Sequence, residues 1–306
     1  MQGTAQLILE RARELMQSGQ IQRVLGWEKG EFEHDPTPAF FESEEELQNF
    51  CYNDYCGANL SKYLIAASKL EGKTLVCIKP CDSYSLNQLI TEHRVNREKV
   101  FVLAVPCPGM LDPVKTEGKD LSQGERKDYL LDKCLCCKGA EHKIADETIE
   151  GPSLDLAPED RFAQVRELEA LSPQERFDFW RGELSRCIRC NACRNVCPAC
   201  SCVKCVFDNP NSGVSSKASA DDFEENMFHV IRAFHVVSRC TDCGECSRVC
   251  PQHIPLHLLN RKFIKDINEL YGEYQAGADF DSRPPLMDFR KDDCEPSVVY
   301  ERGGAQ

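Results

Sequence analysis

The chain of 306 residues reads as two architectures in succession: a small α/β domain over residues 1–151, then a mainly α-helical domain over 152–272 with an extended tail over 273–306. Three observations predict this. Two apolar runs of strand length, Lys73–Ile78 and Lys99–Val105, flank a helix-compatible stretch, Ser83–Glu92. From Pro158 onward the pattern is helical, and Gly151-Pro152 marks the change of character. A cysteine run then occurs twice among those helical stretches, its copies separated by 42 residues.

In the first half, Thr4–Ser18 gathers Leu7, Ile8, Ala12, Leu15 and Met16 on one helical side, and Gly19 supplies the stop. Ser43-Glu44-Glu45-Glu46 has the form of a capping box and predicts that a helix opens there. The two strands flanking Ser83–Glu92 are expected to pair in parallel, because a helical crossover returns the chain in the same direction. In the second half, Ser172-Pro173-Gln174-Glu175 restarts a helix, with a cap, a proline at the first position and a glutamate at the third. An Asn/Ser-rich loop near 209–219 leads into a helix-like run, Asp221–Val237, and Ile254–Tyr271 is the closing helix.

Apolar residues make up 42% of the chain, enough for real cores. The longest apolar runs, such as Phe101–Val105 and Tyr63–Ala67, are far shorter than a bilayer-spanning helix requires. A formal charge of -13 excludes the basic face of a nucleic-acid binder. Twenty cysteines follow a start, Met1-Gln2-Gly3, that lacks an apolar signal segment, which points to a cytoplasmic, anaerobic setting rather than a secreted disulfide scaffold.

The repeated run is the most informative feature. Cys187, Cys190, Cys193 and Cys197 precede Pro198, and Cys240, Cys243, Cys246 and Cys250 precede Pro251. Both copies read C-x2-C-x2-C-x3-C-P. This spacing suits paired 4Fe-4S clusters, in which three thiolates of one run hold one cluster and the fourth crosses to the other. The expected sets are therefore Cys187, Cys190, Cys193 with Cys250, and Cys240, Cys243, Cys246 with Cys197. Zinc competes poorly, since a zinc knuckle takes two cysteines from each motif and has no use for a third, a fourth and a proline. The 42-residue insert exceeds what a compact ferredoxin holds and fits a helical ferredoxin domain. Ten basic residues lie around the two runs, five in 181–205 and five in 239–265, against three acids. They are expected to offset the negative charge of thiolate-bound clusters, with a solvated basic face as the alternative.

Cys81 and Cys107 each follow a predicted strand by one proline, and ligands of open α/β sheets gather at the carboxyl ends of strands. Cys134-Leu135-Cys136-Cys137 adds a chelating pair, Cys134 and Cys137, with Cys136 as a substitute. On spacing alone two readings stand: a third 4Fe-4S cluster on Cys81, Cys107, Cys134 and Cys137, or buried structural cysteines. Cys200, Cys202 and Cys205 read as free or structural thiols, with ligation of another metal beside Cys294 as the alternative. Cys51, Cys56 and Cys77 read as core. His253 and His257 lack the glutamate of a helical zinc motif and fit a capping turn. Gly72-Lys73-Thr74 lacks a phosphate-loop glycine at position 67, which is Ala67, and no G-x-G-x-x-G or Ser/His/Asp set occurs.

Leu15–Gly26, Pro80-Cys81, Pro106-Cys107 and the segment Cys134–Gly151 together resemble the β subunit of the deazaflavin coenzyme F-420 reducing hydrogenases and related formate dehydrogenases. The resemblance covers residues 1–151. It implies a third cluster on Cys81, Cys107, Cys134 and Cys137 and, in the family, a neighbouring FAD. After its Ala-Asp segment the family continues through a stretch that completes the flavin site, whereas this chain turns at once into its helical half, so flavin binding is not expected. The second half, with CPACSCVKC after its first run, is similar to the iron-sulfur part of formate dehydrogenase β subunits and to helical ferredoxin subunits of heterodisulfide-reductase-like complexes.

The expectation is an iron-sulfur electron-transfer subunit of a cytosolic multi-subunit oxidoreductase, without a substrate site or transmembrane segment. It would join a hydrogenase or formate dehydrogenase module to a heterodisulfide-reductase-type flavoprotein. The alternative is a flavin-containing oxidoreductase that reduces a deazaflavin or another two-electron acceptor; a zinc-stabilised scaffold is the non-redox one.

Overall fold

The computed structural model describes residues 2–209 and 222–286. Helix α1 (Gln2–Gln17) opens the chain and is followed by β1 (Arg23–Glu28), β2 (Thr37–Phe41) and β3 (Phe50–Cys51). Strand β4 (Thr74–Ile78), helix α2 (Pro80–Thr91) and strand β5 (Val100–Ala104) form the expected crossover, and β6 (Glu147–Thr148) completes six strands. The sheet order is β2-β1-β4-β5-β6, with β3 also on β1. Strands β1, β4, β5 and β6 run parallel, while β2 and β3 are antiparallel to β1. Every residue of β4 is buried, as a strand covered on both faces requires.

The sheet is larger than the single crossover legible in the sequence. Strand β1 escapes a periodic reading because four of its six residues are buried without alternation and Gly26 interrupts it. That glycine is needed, since a Cβ there would lie 2.5 Å from the Phe50 ring. Strand β2 contains Pro38, tolerated because β2 is the sheet edge. Helix α1 buries Ile8, Ala12 and Leu15, each of the larger two contributing about 1.5–3 kcal/mol, whereas Leu7 lies on the solvent side. The Ser43 segment departs from expectation. The Ser43 hydroxyl accepts from the Glu46 amide, but the Glu46 carboxylate bonds the Glu42 amide, and only a single 3-10 turn, Glu46–Asn49, follows. Strand β3 begins at the next residue and leaves a longer helix no room.

Beyond Thr148 the described residues contain no strand. Helices α3 (Ala163–Ala170), α4 (Pro173–Leu184), α5 (Asp222–His235) and α6 (Leu256–Tyr271) carry this half. The capping box of α4 is complete: the Glu175 amide donates to Ser172 Oγ, and the Ser172 amide to the Glu175 carboxylate. The predicted polar loop lies almost wholly outside the described residues. Described residues past Tyr271 carry no regular structure, yet they are not free in solvent. Ala276 is buried, and Asn87 on α2 donates to the Gly277 carbonyl at 3.2 Å.

Gly277 holds that contact with a φ of +74° and with Tyr84 O only 1.9 Å from where a Cβ would sit. Gly277→Ala is expected to cost about 2 kcal/mol or more, lowering the thermal unfolding midpoint by roughly 4–8 °C. Gly182→Ala on α4, with open space around it, should be neutral or stabilising. Equal midpoints for the two variants would remove the tail from the packed structure.

Candidate metal centres

The two cysteine runs adopt one backbone shape twice. Arg189 and Asp242, each just before the second cysteine of its run, both have φ of 53°, and Asn191 and Gly244, just after it, have φ of 60° and 70°. Single left-handed residues on both sides of a cysteine curl the chain around a centre. A one-turn helix follows in each copy, Ala192–Asn195 and Glu245–Arg248, and carries the third cysteine.

Cys187, Cys190, Cys193 and Cys250 line one small cavity, together with Ile188, Phe228, His229, Ile254 and Leu256. Three come from the first run and one from the end of the second. Cys197 makes the reverse excursion. Its charge bears on the thiols of Cys240, Cys243 and Cys246, all three pushed up first by burial, Cys246 to about 12. Cys240 packs with Cys197, Ala199 and Val236. The groups abut, because Cys193 of one and Cys246 of the other share an apolar cluster with Leu184, Ile254 and Leu256.

A third gathering lies at the carboxyl edge of the sheet. Cys81 sits in the first turn of α2 beyond β4, Cys107 follows β5, and both line a cavity with Cys134, Cys136 and Cys137. Burial, then the neighbouring Cys134, pushes the Cys107 thiol up to about 12. The loops are fixed from below: His142 Nε2 reaches the carbonyls of Ile78 and Val105 at 3.0 and 3.1 Å, and Tyr52 donates to the Pro106 carbonyl at 2.7 Å. Beside Cys81, buried Lys79 pairs with Asp82 at 2.7 Å and lies over the Trp27 ring. Asp242 and Cys243 of the second run also line this cavity, so the third gathering adjoins the second.

Glu245, between Cys243 and Cys246, locks the two halves. Its carboxylate accepts from Lys133 at 2.6 Å, Arg248 at 2.8 Å and the Asn59 amide at 3.1 Å. Burial alone pushes this carboxyl up, but Arg248 and Lys133 hold it well below the usual carboxylate range. Arg261 bonds Asp242 at 2.8 Å and reaches Cys136 Sγ at 3.8 Å, while Lys138 donates to the Asp242 carbonyl.

Most of the basic residues around the runs also meet acids. Arg186, Arg194, Arg239, Arg248, Arg261, Lys262 and Lys265 all pair with carboxylates. Two of them reach sulfur as well, Arg261 at Cys136 and Arg194 at Cys205, and a further cation among thiols is Arg232 on α5, outside the segments singled out in the sequence. It is 1% exposed, and the strongest charges on it are Cys246, Cys193, Cys197 and Cys200. His229, one turn earlier, sets Nε2 3.2 Å from Cys187 Sγ. The signal for both was a histidine and an arginine at core positions of an amphipathic helix.

The remaining thiols separate. Cys200 donates to Cys197, which lowers the Cys197 thiol and raises its own, while Cys202 is exposed; with Cys205 they line a cavity of about 380 Å³ bearing Lys62, Arg194, Arg232 and Arg239. Cys51, Cys56 and Cys77 are in the core. His257 donates its amide to Ser247 Oγ from within the first turn of α6, which has no side-chain cap, and lines with His253 a cavity of about 450 Å³ between the two halves. Among the described residues no three His, Cys, Asp or Glu side chains converge tightly enough to hold a single metal ion. Thiols set around a cuboidal cluster meet iron at separate corners and need no such convergence.

Residues 183–254 match the 4Fe-4S dicluster domain. That segment is an iron-sulfur, electron-transfer segment. Over 89% of its length the chain is also similar to the F420-dependent formate dehydrogenase subunit beta of Methanocaldococcus jannaschii, at 22% identity and covering 91% of that protein. The F420-dependent formate dehydrogenase 1 subunit beta of Methanococcus maripaludis is 22% identical, over 89% of this chain and 90% of its own length. Both alignments, at 351 and 355 positions, exceed the 306 residues of this chain, so the relatives carry residues without counterparts here. Among the described residues no helix is long and apolar enough to cross a membrane.

Glu245→Ala strips partners from Lys133, Arg248 and the Asn59 amide at once. The expected loss is on the order of 3 kcal/mol, seen as about hundredfold faster hydrogen exchange at the Asn59 amide. Unchanged protection there would contradict the lock.

Proposed function

We propose that this chain is the electron-relay subunit of a multi-subunit oxidoreductase, carrying three 4Fe-4S clusters in series. Cys187, Cys190, Cys193 and Cys250 would hold one, Cys240, Cys243, Cys246 and Cys197 the second, and Cys81, Cys107, Cys134 and Cys137 the third. The observation that carries this reading is adjacency. Cys243 reaches the third cavity, and Cys193 and Cys246 share one apolar cluster, so each group touches the next. The donor sets suit iron: each offers at least four thiols, with Cys136 a fifth at the third, and bound iron would draw off the thiol protons that burial retains. When bound, the clusters supply one-electron reduction and oxidation at iron.

The residues around them exclude water and fix the thiols. Residues 1–151 would act as the α/β domain holding the third cluster, 152–272 as the helical dicluster domain, and the chain beyond as a tail across the first. The likeness to formate dehydrogenase beta subunits supports a place between a formate dehydrogenase or hydrogenase module and a flavoprotein of the heterodisulfide-reductase type. The shorter chain supports a relay that lacks FAD and a substrate pocket. A cytoplasmic site of action fits its many free thiols.

A second reading has one observation in its favour. The cavity of about 450 Å³ lies within the usual size of small-molecule sites and is lined by Lys133, Arg248 and Arg261. A flavin or deazaflavin there would make the chain an oxidoreductase in its own right.

Two measurements test the proposal. Cys197→Ala is expected to damage the cluster of the second run and Cys250→Ala that of the first, each seen as loss of one distinct electron paramagnetic resonance signal in the reduced protein. Loss of the signal from the variant's own run would refute the crossed ligation. The relay itself predicts that the purified chain binds no stoichiometric flavin, turns over neither deazaflavin nor NAD alone, and co-purifies with a flavoprotein. Turnover with bound FAD would establish the second reading instead.

A further inference from the structure

Arg232 poses a problem that the protein atoms do not solve. Its guanidinium is buried, and among the described residues Nε, Nη1 and Nη2 find no hydrogen-bond partner. An arginine cannot shed its proton, and a buried charge without a partner costs several kcal/mol. Neighbouring carboxylates do not relieve it. Asp208, which lines the same cavity, is taken by Arg194 at 2.9 Å, and Glu92 is taken by Arg239 at 2.7 Å. What faces Arg232 is sulfur: Cys246 and Cys197 from one proposed ligand set, Cys193 from the other, and Cys200 beside them. As thiols these give the guanidinium no balancing charge. As ligands of iron they would.

We propose that Arg232 is the shared counter-charge of the two clusters in the dicluster domain, holding both reduction potentials up. The inference rests on the ligand sets proposed above and goes beyond them. Reduction adds one negative charge to each cluster, and a fixed cation between the two favours that form in both. It also gives the long insert between the runs a purpose, because α5 delivers Arg232 to the seam between the groups and, one turn earlier, His229 to Cys187. Arg232 is a positioning and tuning residue in this account; it passes no electron itself.

The test is a redox titration of the full chain, loaded with iron and sulfide under anaerobic conditions and followed by electron paramagnetic resonance. Arg232→Met should make reduction of both dicluster centres at least tenfold less favourable, a fall of about 59 mV for each one-electron couple. Arg232→Lys should recover much of it, and the centre at Cys81 and Cys107 should not move, which controls for a general loosening. Unchanged potentials in the methionine variant would overturn the proposal, as would a fall confined to one dicluster centre. If the methionine variant fails to retain clusters, the lysine variant decides. Retention with lysine supports a charge requirement, and loss with both marks packing alone and overturns it. Failure of the underlying ligand assignment would look different, as an unmodified protein without two dicluster signals.

Discussion

Burying thiolate charge is the constraint on which the rest of this structure depends. Iron is held by thiolates, yet the cysteines gathered here lie largely out of water, where burial keeps the proton on sulfur, as at Cys107 and Cys246. Most arginines and lysines near the runs pair with carboxylates, and some of these, such as Arg261, reach sulfur as well. On the proposed ligand sets, iron and Arg232 would balance that charge, and cluster loading would be coupled to the stability of the seams between groups.

The two halves are joined where the chemistry needs them joined. Glu245, Asp242, Lys133, Lys138 and Arg261 all lie within two residues of a cysteine or touch one, and their bonds cross from the sheet edge to the second run. A relay gains from this, since a fixed distance between centres fixes the rate at which an electron crosses. The polar lock is fully satisfied at Glu245, which makes it expensive to open and specific in register. Ser85 and Thr241, whose hydroxyls meet at 2.9 Å, extend the same seam.

How much of this the sequence discloses depends on whether a feature is local. The crossover β4-α2-β5, the capping box at Ser172 and the doubled cysteine run are written in short stretches with their own periods and punctuation, and each is found where it was read. Strand β1 was hidden by Gly26 and by burial on both faces, and β2 by Pro38 at an edge. The Ser43 segment has the right residues for a cap, but Glu46 spends its carboxylate on Glu42 and β3 cuts the turn short. The site divides in the same way. Cys187, Cys190, Cys193 and Cys250, picked out by spacing, line one cavity, whereas Arg232 and His229 owe their place to the packing of a helix some 40 positions from the first run. Of the basic residues next to the cysteines, Arg239 pairs with Glu92 from the other half of the chain, a partner that local spacing does not disclose, while Arg248 pairs with nearby Glu245.

The likeness to formate dehydrogenase beta subunits spans nearly the whole chain, while those relatives also carry residues that this chain lacks. On the proposed reading this chain is a carrier rather than a converter of electrons. The most direct test of that account is an anaerobic reductive titration of the intact purified chain, counting electrons taken up per molecule. Three 4Fe-4S centres and no flavin predict an uptake of about three electrons. An uptake of about two would remove the third centre, and about five, with the absorbance changes of a flavin, would contradict the relay.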